Sequence, residues 1–193
     1  MSRKFELIKD YNNAKLPQRS TEFSAGYDFF AIEEVFVPSL FTTDANNKAK
    51  DKIDQIEELW NNDVVRYAQY MDLLKEALDD IDDYSSNYAP VMVKTGVKAK
   101  FPEDEALLLL NRSSNPKRGL YLATGVSVVD SDYYNNPDNE GHIFIPFINL
   151  SQDDYIIYPG DKIAQGVFMN FKLVDGDTAK GKRDGGFGST GEN

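Results

Sequence analysis

With no cysteine and with His142 as its one histidine, the chain leaves its chemistry to carboxylates, hydroxyls and a few cations. Disulfides, thiolate nucleophiles and Cys-ligated zinc are excluded, and serine-histidine triads or multi-histidine metal sites are disfavoured. His142 itself, in an Asn-Glu-Gly-His turn, reads as exposed. The first candidate pair is Asp130 and Asp132, inside residues 119–134. That stretch is rich in β-branched, aromatic and small residues and predicts a strand, a turn at Gly125 and a second strand. Residues two apart on an extended chain point to one side, which puts both carboxylates on one face and Tyr133 on the other. A strand running into an acidic, Asn-rich turn is the plain structural alternative. Asp28 stands near the start of another predicted strand, where a turn aspartate is the default reading.

A second set of groups suits an anion. The chain from Gly176 is Gly-rich, with Lys180, Lys182 and Arg183 ahead of Asp-Gly-Gly-Phe-Gly-Ser-Thr-Gly over 184–191. By composition this is a disordered tail. Yet Phe187, Ser189 and Thr190 among glycines, just after Arg183, are what a lid closing over phosphate needs. Glycine backbone N–H groups approach anionic oxygens unobstructed, hydroxyls add donors and arginine supplies a bidentate charge. The strand, spacing and lysine of a P-loop are missing.

The elements that must position these groups are short strands with Gly and Pro punctuation. They are expected at residues 5–8, 27–31, 35–37, 91–101, 106–110, 142–150, 155–158, 163–168 and 171–174, besides the two flanking Gly125, which makes an all-β sandwich or barrel. The run 106–110 is continuously apolar, reads as buried on both faces, and leads directly into Arg112-Ser113-Ser114. Residues 44–88 differ, having neither glycine nor proline. Ile53, Trp60, Tyr67, Leu74 and Ile81 recur every seven residues, the stripe of one long helix or a helical hairpin broken near Asn61-Asn62-Asp63. Twelve acidic residues stand against five basic ones there, so the insert carries most of the excess charge. A helical insert packed on its host with a solvated acidic face is the simplest account, and a docking surface for a partner protein the other.

The length of 193 residues suits one substantial core with an embellishment. The longest apolar run is far too short for a bilayer and the first residues hold no apolar signal core, so a cytoplasmic protein without membrane contact is expected. A net charge of −11 argues against direct nucleic acid binding, leaving a small polyanion held by a few local Arg, Ser and Gly groups.

In chain order, Ala25-Gly26-Tyr27-Asp28, Arg112-Ser113-Ser114, Val129-Asp130-Ser131-Asp132-Tyr133, residues 159–165 (Pro-Gly-Asp-Lys-Ile-Ala-Gln) and residues 185–191 (Gly-Gly-Phe-Gly-Ser-Thr-Gly) resemble the five motifs of the homotrimeric dUTPases. The likeness covers the chain apart from about 40–89, and the helical insert resembles that of phage versions, staphylococcal ones included. It implies a homotrimeric β-barrel or jelly-roll core over 1–43 and 89–175, an α-helical insert of about 45 residues over 44–88, and a flexible arm over 176–193 that closes the site. It also implies hydrolysis of dUTP to dUMP and pyrophosphate with Mg2+ in the cytoplasm, the host bacterium's for a phage protein. Asp130 would be the general base for a water attacking the α-phosphorus. Tyr133 would pack under the deoxyribose, and the backbone around Ser127 and Val129 would read the uracil edge. Arg112, Ser113, Ser114 and Gln165 would hold phosphate oxygens. Phe187 would stack on uracil while Arg183, Gly188, Ser189 and Thr190 close over the γ-phosphate, with Lys182 sharing or replacing Arg183. Mg2+ would ride mainly on the triphosphate, Asp28 acting through water.

The chain departs from the pattern at Ser127, where glycine is usual, at Lys162 in place of arginine, and at Tyr134-Asn135 in place of a basic or polar residue and glycine, with a longer turn after it. Two other functions stay in view. Staphylococcal phage relatives are implied to bind a repressor, which the insert at 44–88 would do here with or without catalysis; a related fold supports dCTP deamination.

Overall fold

The computed structural model describes residues 2–40, 72 and 90–181. The helical insert expected at 44–88, apart from Asp72, and most of the Gly-rich arm lie outside the described residues.

Among the described residues twelve strands run in chain order: β1 Lys4–Leu7, β2 Gln18–Arg19, β3 Tyr27–Phe30, β4 Val35–Val37, β5 Val91–Lys94, β6 Val97–Lys100, β7 Glu105–Asn111, β8 Leu120–Leu122, β9 Ser127–Asp130, β10 Phe144–Asn149, β11 Tyr155–Ile157 and β12 Lys162–Asn170. They form a five-stranded sheet β2-β3-β12-β7-β9, a three-stranded sheet β5-β10-β8, and the pairs β1-β6 and β11-β4. Every pairing between named strands is antiparallel. One core joins all four sheets, because Phe29, Val37, Val93, Val97, Leu107, Leu109, Leu122, Ile145, Phe147, Ile157 and Ala164 meet in a single buried cluster. This is the expected all-β fold, held by removal of apolar side chains from water at roughly 25 cal/mol per Å2.

The five-stranded sheet positions the site. Leu107 and Leu109 of β7 point into the core, while Leu108 and Leu110 on the outer face are only half-buried. The reading of 106–110 as buried on both faces thus holds for one face of the chain taken alone. Beside Leu108 on that outer face stand its ladder partners Val128 of β9, 59% exposed, and Val167 of β12.

Three local expectations change. Residues 91–101, read as one strand, are two, because Gly96 turns the chain with φ +69°. Residues 171–174 form no strand: β7 begins at Glu105, so the β12 ladder has no partner beyond Asn170, and the last bond is from the Phe171 N–H to the Asp104 carbonyl at 3.2 Å. The strands flanking Gly125 are not partners of each other; β8 pairs with β10 and β9 with β7, so the turn carries the chain from one sheet to another. No helix among the described residues is long and apolar enough to cross a membrane.

Candidate active site

At one end of the five-stranded sheet the chain assembles a candidate anion grip. Asp28 on β3 lies opposite Gln165 on β12, and β7 ends beside them at Asn111, delivering Arg112. Arg112 donates from Nε to Asp28 Oδ1 at 3.1 Å, and from Nη1 to Ser114 Oγ at 3.3 Å and the Lys162 carbonyl at 3.2 Å. Lys162 Nζ lies 2.7 Å from Asp28 Oδ2, and Ser20 Oγ donates to the same oxygen at 2.6 Å. Gln165 donates to the Asn111 carbonyl at 3.3 Å, and its side chain covers Gly26, where a Cβ would come within 2.6 Å of Gln165 Oε1. Glycine in this motif therefore makes room for the glutamine. Ser113 is exposed on the turn, and Ser114 is half-buried.

Asp28 is only 7% exposed. Burial alone pushes its carboxyl up, but hydrogen bonds from Lys162 and Ser20 and the charge of Arg112 outweigh this and hold it below the usual carboxylate range. A carboxylate shared by two cations and a hydroxyl orients them, so Asp28 fixes Arg112 and Lys162 relative to each other. Two cations against one carboxylate leave the cluster positive, which suits phosphate. Among the described residues no group of three or more His, Asp or Glu forms a metal cage. That donor set fits Mg2+ arriving on phosphate oxygens rather than in a protein cage.

Two residues not foreseen complete the grip. Ser20, eight residues ahead of Asp28, also accepts from Lys162 Nζ at 2.9 Å. Asn115 is buried and ties the Arg112-Ser113-Ser114 turn to the sheet, donating to Asn111 Oδ1 and to the Ile163 carbonyl, both at 2.7 Å. Ser20 has no signal in its loop; Asn115 follows the Ser-Ser pair directly and was the more findable of the two.

The second half of the candidate site lies elsewhere. Ser127, Val129 and Asp130 occupy β9, with Ser127 opposite Leu109 and Asp130 opposite Ala106. Asp130 is half-buried on the outer face, and Val129 packs against the core. Extended geometry stops at Asp130, because Ser131–Tyr133 is a 3-10 turn. The same-face argument for Asp130 and Asp132 therefore does not apply. Tyr133 is buried, its hydroxyl donating to the His142 carbonyl at 3.0 Å. The carboxylate and the grip are thus at opposite ends of β7. Six residue steps separate Ala106 from Arg112, about 20 Å at ~3.4 Å per residue.

His142, expected to be exposed, is 4% exposed: Nε2 accepts the Gly96 N–H at 2.9 Å, and its ring lies against Phe144 and Tyr11. Burial, helped by the charge of Lys94, lowers its pKa to about 4, so it is neutral at neutral pH. Asn135 has φ +59° at the place where the motif usually has glycine; asparagine is the residue best able to replace glycine in the left-handed region. Arg183, Phe187, Gly188, Ser189 and Thr190, with Lys182, lie outside the described residues.

The sequence profile of the dUTPase family matches residues 81–191. A curated deoxyuridine 5'-triphosphate nucleotidohydrolase of Lactococcus lactis is 37% identical over 197 residues, covering 98% of this chain and 97% of that relative. The chain belongs to the dUTPase family. Among solved structures, dUTPase from Streptococcus mutans matches with TM-score 0.62 at 34% identity over 89% of this chain and 98% of its own. The dUTPase of Staphylococcus aureus phage phi11 matches with TM-score 0.57 at 17% identity over 94% and 97%, a likeness of fold alone. A variant of that phage enzyme is described as coordinating a structural Mg(II) ion, and work on phage 80alpha describes phage dUTPases as controlling transfer of virulence genes.

Proposed function

We infer that this dUTPase hydrolyses dUTP to dUMP and pyrophosphate at a site built from two halves that different copies of the chain contribute. The observation that carries this is the placement of Asp130 and Arg112 at opposite ends of β7. A general base must come within hydrogen-bond reach, about 3 Å, of the water it activates beside the α-phosphorus. A grip on the same triphosphate about 20 Å away along one strand cannot serve that reaction within a single chain. The half-exposed stripe of Leu108, Val128 and Val167 between the two halves is the apolar surface that a second copy would cover, and a homotrimer closes such head-to-tail contacts into a ring.

In this reading Asp130 takes the proton of a water whose oxygen attacks the α-phosphorus, and the bond to the bridging oxygen breaks to release pyrophosphate. Arg112, Ser113, Ser114 and Gln165 hold phosphate oxygens, with Asp28, Ser20 and Asn115 keeping that turn in place. The β9 backbone at Ser127 and Val129 lies along the uracil edge, and Tyr133 packs under the deoxyribose. Phe187, Gly188, Ser189 and Thr190, with Arg183 or Lys182, close the arm 176–193 over base and γ-phosphate. Mg2+ bound to the triphosphate would supply neutralisation of the phosphate charge. In this reading the work is done in the cytoplasm.

The test scores pyrophosphate release from dUTP, dTTP, dCTP and UTP with Mg2+, for the natural chain and for Asp130→Asn. Release confined to dUTP, and a kcat fall of about 10^2 to 10^4 in the variant at unchanged melting temperature, are expected. An unchanged kcat in Asp130→Asn, or full turnover by a protein that sediments as a monomer, would overturn the reading.

A further inference from the structure

Residues 134–141 fold back onto Tyr133. Asn135, Glu140 and Gly141 all take left-handed backbone, with φ +59°, +63° and +82°. The loop holds these conformations because it is closed from both sides. Within it the Asn135 N–H donates to the Glu140 carbonyl at 3.2 Å. From outside, the buried ammonium of Lys98 on β6 donates to Asn135 Oδ1 at 2.7 Å and to the Glu140 carboxylate. Inside the loop, buried Asn136 donates to the Tyr133 carbonyl at 3.0 Å and to Asn139 Oδ1 at 2.8 Å. Asn139 Oδ1 also accepts the Gly141 N–H at 3.1 Å. This arrangement aims the Asn139 amide nitrogen at the Tyr133 hydroxyl, to which it donates at 2.8 Å, while that hydroxyl donates to the His142 carbonyl. The tyrosine ring is therefore held at its far end, by a side chain whose own orientation is fixed by two other hydrogen bonds.

An aromatic ring under a sugar rejects a 2'-hydroxyl only as far as the ring cannot yield. A ring free to tilt accommodates the extra oxygen; a tethered one clashes with it. We propose that Asn139 is a positioning residue that sets the preference for deoxyribose over ribose by tethering the Tyr133 ring. The inference rests on the assignment of Tyr133 to the sugar. It assigns the loop a role beyond stability, because stability alone would not change which sugar is accepted.

Asn139→Ser isolates the tether: its hydroxyl keeps an acceptor for Asn136 and Gly141 and is too short to reach the Tyr133 hydroxyl, whereas a carboxylate there would accept from that hydroxyl and restore the bond. The measurement is kcat/KM for dUTP and for UTP, with Mg2+, on the natural chain, Asn139→Ser, Tyr133→Phe and the double variant, together with melting temperatures. Loss of one neutral hydrogen bond predicts that the dUTP preference of Asn139→Ser falls about three- to tenfold. The change should be carried by a lower KM for UTP. The double variant should be no worse than Tyr133→Phe alone, since both substitutions remove the same bond. An unchanged preference in folded Asn139→Ser, or a loss that adds to that of Tyr133→Phe, overturns the proposal. Should Asn139→Ser fail to fold, Tyr133→Phe removes the bond from the other side, and an unchanged preference there overturns it equally. Tyr133→Ala separates the two levels of the inference. If it leaves the preference intact, the sugar assignment itself is wrong; if it abolishes the preference while Asn139→Ser does not, only the role of the tether fails.

Discussion

Replacing Asp28 by asparagine removes the carboxylate that Arg112, Lys162 and Ser20 share. The asparagine oxygen still accepts from one of them, but its NH2 then faces another donor, and two cations are left close together. Neutralising one partner of a fully buried pair costs about 3–5 kcal/mol. Here the Arg112 and Lys162 side chains are 25% and 36% exposed and keep part of their hydration, so about 2 kcal/mol is expected. At ~2–4 °C per kcal/mol for a chain of this size, the melting temperature at neutral pH should fall by about 4–8 °C. The pH dependence follows from the lowered pKa of Asp28. Its stabilisation is fully present above the unfolded-state carboxylate pKa of about 3.9, and it is lost as pH falls through the lower folded value. Melting curves of the two proteins should therefore converge in acid and separate toward neutrality. Because Asp28 orients the grip without touching the reacting atoms, KM for dUTP should rise more than kcat falls. Calorimetry and steady-state kinetics on the same preparations decide it. Equal melting temperatures at neutral pH together with an unchanged KM would refute the account of Asp28 as the organiser of Arg112 and Lys162.

Other consequences are as open to measurement. Val128→Lys puts a charge into the outer-face stripe, and sedimentation should show dissociation to monomers with turnover lost in parallel; a charged variant that stays assembled and active would rule out this face as the contact. Lowering pH from about 6.5 to about 4 should cost on the order of 3 kcal/mol through His142, because the unfolded chain takes up a proton there that the folded chain refuses. In His142→Gln, whose amide oxygen can accept the Gly96 N–H, that stretch of the stability curve should flatten, and denaturant melts across the range would reveal it. Gly141→Ala should destabilise by at least about 1–2 kcal/mol, since φ is +82° and the new Cβ would meet the Tyr133 carbonyl at 2.6 Å. A melting temperature equal to the parent's would count against that strain.

Most strands were legible because their signals are local. The strand-like compositions at 5–8 and 35–37, and the Pro-Gly-Asp turn before β12, act over a few residues and survive into the fold. What escaped depends on partners distant in the chain. Residues 171–174 have strand composition, yet a strand needs a ladder, and β7 starts only at Glu105, which leaves them no partner. The His142 acceptor for Gly96 lies 46 positions from it, and the Ser20 hydroxyl that meets Lys162 lies 142 positions from it. In the site, the residue types at Arg112, Asp130 and Gln165 could be read from motifs. The placement of Asp130 and Arg112 at opposite ends of β7 has no local signal, because it comes from the antiparallel register of β9 on β7, which sets Asp130 against Ala106. Asp28 shows the same limit. Its position near a strand start reads as a turn aspartate, and only the convergence of Arg112, Lys162 and Ser20 on its oxygens shows it as the organiser of that cluster.

The proposed sharing of the site between copies has a genetic corollary. In such an assembly, chains crippled at Arg112 and chains crippled at Asp130 carry their lesions at different corners. When both kinds are refolded together, some corners receive an intact contribution from each parent. Two individually dead alleles would then complement one another in a single cell, whereas two lesions placed at the same end of β7 would never rescue each other.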